Sequence, residues 1–211
     1  MRISILVSAI LGLLWLTGCA GDSDAGERAN TPTAAPTPTP QPPGVDDIES
    51  ATDAFAERVF PDFSPTKMDP MDAFPRFQAA TGQAFRRLQR KQPIDAKVGR
   101  TYPRILLKSY RFPSAEDLEK EVTLWLNGLE NSADTILLGR SVAAVKTPPL
   151  LCGIAGTHFW MVQSACIYET GEWEADQRRF RDELRAREAS YVWEVKCGGG
   201  ELVYHTAPDT D

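Results

Sequence analysis

Between about Ala20 and Gly44 the chain loses nearly all its large apolar residues and becomes Thr, Pro, Ala, Gly and Asp, with Thr31-Pro32-Thr33 and Pro36-Thr37-Pro38-Thr39-Pro40-Gln41-Pro42-Pro43 at its centre. No hydrophobic core forms from such residues, and proline favours extended polyproline backbone rising about 3.1 Å per residue. The stretch therefore reads as a disordered, semi-rigid tether spanning 19–44, and it confines folding to the residues on its C-terminal side. About 160 of the 211 residues remain, from Val45 to about Thr206, enough for one core. The expected organisation is 45–99 as a helical front and 100–206 as the α+β part of the same domain, with 207–211 a disordered tail. A net charge of -6 argues against a nucleic-acid partner, since phosphate backbones are bound by concentrated positive charge.

Ahead of the tether, Met1 and Arg2 give a positive start, and Ile3 to Leu16 is apolar apart from Ser4, Ser8 and Gly12. That length suits the core of a secretory signal better than a bilayer span. It runs into Leu16-Thr17-Gly18-Cys19, which resembles the lipobox of bacterial lipoproteins. The resemblance implies that 1–18 is a cleaved signal peptide. It also implies that Cys19 becomes the first mature residue, carries a thioether-linked diacylglycerol and is acylated further, typically with palmitate. Two or three acyl chains anchor far more firmly than one. The membrane, reached through the lipid on Cys19, is thus an expected partner and the cell envelope the expected location. Ala20 after the cysteine resembles the pattern of lipoproteins sent to the outer membrane where two membranes exist.

In the front of the domain, Asp46 or Asp47 is placed to cap a helix with Ile48, Ala51, Phe55 and Val59 on one face, ended by Pro61 and Pro65. A second helix is expected where Phe74, Phe77, Thr81, Ala84, Phe85 and Leu88 recur after Pro75. Arg86, Arg87, Arg90 and Lys91 would then lie at its C-terminal end and offset the helix dipole, with an anion or membrane-surface patch as the alternative.

Farther on, Ile105–Phe112 reads as a strand stopped by Pro113. Ser114, three residues before Asp117, resembles a capping box opening a helix with Leu118, Val122, Trp125, Leu126 and Leu129 as its stripe. One or two short strands are expected in 136–145, and a turn-rich connection through Pro148, Pro149, Gly153 and Gly156. A long strand over 157–168, a surface helix over 172–188 and a hairpin of 191–195 with 201–204 complete the pattern. Strand, helix, strand, strand, helix, strand is the split βαβ order of a ferredoxin-like α+β sandwich. The expected fold is an antiparallel sheet with helices on one face, preceded by two or so helices.

Cys152, Cys166 and Cys197 remain once Cys19 is used for lipid, and export favours pairing two of them in any of three ways. Cys-x-x-Cys spacing is absent from the sequence, His158 has no neighbouring ligand at zinc spacing, and His205 has only Asp209 four residues on, in what reads as a frayed tail, so no metal or cofactor is expected. Trp160, Trp193 and His158 belong to a crowd of aromatics in the last third, which is either core or a candidate ligand or partner surface. Together these features lead to a non-enzymatic binding or assembly module of the envelope, whose partner is another envelope protein or a small ligand. Two alternatives stand beside it. One is an envelope hydrolase or thiol enzyme built on His158 with Cys152 or Cys166, and the other is a carrier of hydrophobic solutes.

Overall fold

The computed structural model describes residues 45–68, 75–96, 98–129, 135–142, 145–168, 171–197 and 200–206, all of them within one unit of the chain, residues 42–211. In chain order these form α1 (Val45–Val59), β1 (Phe63–Lys67), β2 (Gly82–Arg90), β3 (Ile94–Ala96), β4 (Gly99–Thr101), β5 (Arg104–Arg111), α2 (Ala115–Asn127), β6 (Leu150–Ala155), β7 (His158–Gln163), α3 (Gly171–Ala186), β8 (Tyr191–Val195) and β9 (Leu202–Thr206), with a single 3-10 turn at Cys166–Tyr168. Seven strands pair antiparallel in the order β1-β2-β5-β7-β6-β8-β9, and β3 with β4 makes a separate two-stranded arm. The chain is thus α+β with a large antiparallel sheet.

Alternation along the central strands divides the interior into two cores. Cys152 and Ile154 of β6, Phe159 and Met161 of β7, and Trp193 and Val195 of β8 point to one face, where Leu118, Val122 and Leu126 of α2 cover them. Leu151, Trp160, Val162 and Val192 point to the other face, against Phe55 and Val59 of α1 and Phe180 and Leu184 of α3. Helices therefore lie on both faces, and this departs from the single helical layer expected of a ferredoxin-like sandwich.

Strand order explains the departure. Two strand–helix–strand crossovers are present, though not between the strands expected: β5-α2-β6 straddles β7, and β7-α3-β8 straddles β6. Both step in the same direction across the sheet, but they start from antiparallel strands. Two crossovers of the same hand must then pass on opposite sides.

The helix expected around Phe77–Leu88 is instead β2, so among the described residues one helix rather than two precedes the α+β part; Phe74 lies outside the described residues. Ala84, Arg86 and Leu88 are buried on the α1 side and Phe85 on the α2 side, so burial on both faces of a strand mimics helical spacing. Residues 136–145 give no strand among those described, only a bridge between Val142 and Leu202, while Ile136 and Val145 enter the α2-side core.

The stretch read as a connection contains β6. Gly153 lies inside that strand because Leu184 of α3 sits against it: a Cβ added there would come within 2.1 Å of Leu184 Cδ1. Gly156, with φ of 57°, makes the tight turn into β7, which ends at Gln163, and the 3-10 turn comes next, within the stretch expected to be strand. The other expected elements are found. The α1 helix starts at Val45, two or three residues earlier than a cap at Asp46 or Asp47 requires, and buries Ile48, Phe55 and Val59. Ser114 caps α2, its Oγ accepting from the Asp117 amide at 3.1 Å.

Cys166 pairs with Cys197, joining the 3-10 turn after β7 to the end of β8 across a separation of 31 residues. Closing such a loop contributes roughly 3–4 kcal/mol through the unfolded chain's lost entropy. Urea unfolding with and without reductant is expected to differ by that amount. Gly153→Ala, which overfills the contact with Leu184, is expected to cost about 1–3 kcal/mol in the same measurement.

Candidate functional site

The residues with reactive or aromatic side chains are placed by the sheet's alternation, and the placement separates them. Cys152 is fully buried in the α2-side core, where burial pushes its thiol pKa well up and disfavours the nucleophilic thiolate. His158, at the start of β7, lies on the other side of the sheet, its ring 6.3 Å from that of Trp160. Cys166 is in the disulfide. The sheet itself therefore stands between His158 and Cys152, and the geometry does not bring those two together as a thiol enzyme would need.

Trp160 and Trp193 are 1 % and 0 % exposed and also lie on opposite faces. Trp160 stacks on Phe55 of α1 with centroids 4.2 Å apart, and Trp193 stacks on Phe159 at 5.7 Å. Neither indole N–H has a hydrogen-bond partner among the described residues, so these rings are held by packing rather than by polar contacts. They form no common surface. Of the candidate surface residues only His158 is partly exposed.

Sequence patterning did not anticipate the charged layer between the sheet and the two helices on the His158 side. Arg86 of β2 is 2 % exposed. Its Nε donates to Asp53 Oδ1 at 2.6 Å, its Nη2 to Glu49 Oε2 at 2.5 Å and its Nη1 to the Phe85 carbonyl at 3.0 Å. Its hydrogen bonds hold the Asp53 carboxyl below the ordinary carboxylate range. Burial raises the Glu49 carboxyl, but the bonds and charges of Arg86 and Lys67 outweigh that and leave it lowered.

Four residues farther along β2, Arg90 Nη1 donates to Asp176 Oδ2 of α3 at 3.1 Å. Arg179 also donates to Asp176, and its Nε reaches the Val59 carbonyl at 3.0 Å. The Asp176 carboxyl is buried, which pushes its pKa up to about 6 despite the two guanidinium groups. Asp62 and Glu172 add to the rise by repulsion. These side chains bind α1 and α3 to the sheet. A signal for them existed in the sequence, since Arg86 and Arg90 alternate with Leu88 on one strand face, but it becomes legible only once the segment is known to be a strand.

Two grooves open to solvent. One, of about 410 Å³, lies between the end of α1 and β1, with Phe60, Phe63 and Leu88 as floor and Glu57 and Lys91 among its lining. The other, of about 300 Å³, runs along α2 beside Phe77, Trp125 and Leu129, with the exposed Leu124 in its wall. Both are at the small end of ligand-site sizes. Among the described residues no group of three or more His, Cys, Asp or Glu side chains could hold a metal ion, and no helix is long and apolar enough to cross a membrane.

Compared with protein-family models, with curated proteins and with solved structures, the chain gives no match.

Removing the Arg86 guanidinium leaves Asp53 and Glu49 without their partner, and both carboxylates are partly exposed, so Arg86→Ala is expected to lower stability by about 1–3 kcal/mol in urea unfolding. The Asp176 pKa lies above its unfolded value of 3.8, so the folded chain takes up a proton first as pH falls. This group's contribution to stability therefore rises as pH drops from about 6 toward 4 and fades above pH 6. Asp176→Asn is expected to flatten the measured stability-against-pH curve in that window. Below it, the lowered Asp53 and Glu49 act with the opposite sign, losing their contribution as they are protonated.

Proposed function

We propose that the chain is an exported bacterial lipoprotein, held to the cell envelope by acyl groups on Cys19, whose α+β domain is a binding or assembly module rather than an enzyme. The observation that carries the export reading is the Cys166–Cys197 disulfide. Such bonds persist in oxidising compartments and are rare where glutathione and thioredoxin keep thiols reduced. This agrees with the signal-like start, the lipobox resemblance at Leu16-Thr17-Gly18-Cys19 and the Pro/Thr tether behind it.

A binding role is favoured by how the reactive residues are spent. Cys166 and Cys197 brace the crossover that carries α3, Cys152 packs in a core, and His158 faces the other side of the sheet. What the domain offers its surroundings is surface: two grooves, the β3–β4 arm and the part of the sheet that α2 leaves open. If the envelope has two membranes, Ala20 favours delivery to the outer one.

Lipidation is tested by expressing the chain and its Cys19→Ser variant in a bacterium supplied with radiolabelled palmitate. The unaltered chain should take up label and mature, whereas the variant should stay unlabelled and keep its signal segment. Normal maturation of Cys19→Ser would overturn the lipoprotein reading. Thiol labelling of the mature-length variant tests the rest: Cys152 should resist a maleimide in the native state and react once the chain is unfolded without reductant. Rapid native labelling near neutral pH would return a thiol enzyme to consideration.

A further inference from the structure

The basic run Arg86, Arg87, Arg90 and Lys91 has no helix dipole to offset, because the segment is β2. Strand alternation splits it. Arg86 and Arg90 turn inward to Asp53, Glu49 and Asp176, while Arg87 turns to the opposite face and is exposed. There α2 does not reach, and the sheet surface is open: Ser64 and Thr66 of β1, Arg87 and Gln89 of β2, and Arg104 at the start of β5 are all exposed. Gln89 and Arg104 are register partners, with Arg104 Nε donating to Gln89 Oε1 at 3.1 Å, so Arg104 stands on the same face as Arg87.

At this end the β2–β5 pair continues into the β3–β4 arm, set off by Pro93 and Pro103, which lack the N–H a continuous ladder needs. Lys91 and Arg100 are exposed here, and so are two large apolar side chains, Val98 at 67 % and Tyr102 at 49 %.

The charge of this region is unlike that of the rest of the domain. From Arg87 to Arg104 the sequence carries six basic residues (Arg87, Arg90, Lys91, Lys97, Arg100, Arg104) and a single acid, Asp95, in a chain whose net charge is -6. Elsewhere arginines sit within 4 Å of carboxylates: Arg58 and Arg187 with Glu183, Arg181 with Glu194, Arg185 with Asp182. Among the described residues none of Arg87, Lys91, Arg100 or Arg104 has such a partner; Asp95 is the register partner of Arg100 without forming an ion pair. Uncompensated, exposed basic groups beside an exposed valine and tyrosine match an anionic bilayer surface, where cations meet phosphates and amphipathic rings settle at headgroup depth.

We propose that the open sheet face of Arg87 and Arg104, with Arg100, Val98 and Tyr102 at the arm, docks the domain on an anionic phospholipid surface. This rests on the lipoprotein reading for its biological setting: an anchor on Cys19 would confine the domain near a bilayer, and a weak surface contact then acts at high effective concentration. Docking would choose which side of the domain meets the membrane and leave α1 and its groove, on the opposite face of the sheet, toward the aqueous side for other partners.

The test uses the mature-length chain from residue 19 carrying Cys19→Ser, so that binding does not depend on acylation. It is mixed with sedimentable vesicles of phosphatidylcholine alone or with roughly a quarter of phosphatidylglycerol. The chain should sediment roughly ten-fold or more with the anionic vesicles, and lose that binding in about 0.5 M salt, where screening is complete within a few Å. The triple reversal Arg87→Glu/Arg100→Glu/Arg104→Glu should abolish the preference while keeping the tryptophan fluorescence of the folded chain. Lys120→Glu/Arg178→Glu, which reverses exposed charges on the two helices, should leave it intact.

No sedimentation with either vesicle, equal sedimentation with both, or unchanged binding by the triple variant would overturn the proposal; in the first case the basic face would be left for an acidic protein partner. Failure of the lipoprotein reading would show separately, as normal maturation of Cys19→Ser in cells.

Discussion

Every other feature of this domain depends on a sheet whose central strands are buried on both sides. Neighbouring residues on β6, β7 and β8 must each satisfy a different core, so Phe159 serves α2 while Trp160 serves α1 and α3, and Cys152 packs above the sheet while Gly153 makes room for Leu184 below it. The two helical layers are needed because neither face of those strands is polar. Opposite placement of the crossover helices is the topological form of the same requirement: strand order sends α2 and α3 to different sides, and each finds an apolar face waiting.

The two layers are secured differently. On the α2 side the contacts are apolar and aromatic, with Phe77, Tyr110, Phe159 and Trp193 meeting edge to face or stacked. On the other side, hydrophobic packing is joined by guanidinium groups that fix the helices by direction as well as by contact. Arg86 holds α1, and Arg90 meets α3 at Asp176. Desolvated pairs of this kind add little net stability compared with an apolar substitute, but they tolerate few alternative alignments. Their cost shows in Asp176, whose carboxyl is pushed up to about 6 because burial outweighs the attraction of its two arginines.

How much of this was legible in the sequence depended on whether an element's signal was local. The α2 helix was readable because Ser114 caps it and its stripe keeps one period throughout. The hairpin of β8 and β9 was readable from two β-branched and aromatic runs around glycines. β2 was not, because its apolar residues serve two cores and their spacing passes for a helical period; β6 was hidden by Gly153, whose reason lies far along the chain at Leu184 of α3. The same limit applied to function. Arg86 and Arg87 are adjacent and chemically identical, yet one is a buried strut and the other an open surface charge, and only the pairing of β2 with β5 decides which. Any of the three cysteine pairings was open to sequence, and the sheet selects Cys166 with Cys197 by carrying the ends of β7 and β8 to the same rim.

Apart from the exchange of β6 and β7, the strands stand across the sheet in the order in which they occur in the chain. Position along the sequence is thus a coordinate across the molecule: with strands about 4.8 Å apart, β1 and β9 lie roughly 30 Å from one another. An affinity handle or fluorescent label joined just beyond Thr206 would leave from the β9 edge, remote from Arg87 and the β3–β4 arm, whereas the same label attached at Thr66, exposed on β1 as the register partner of Arg87, would sit beside that face. A two-colour design with one dye at each edge would therefore report which flank of the sheet a partner approaches, with nothing altered in either core.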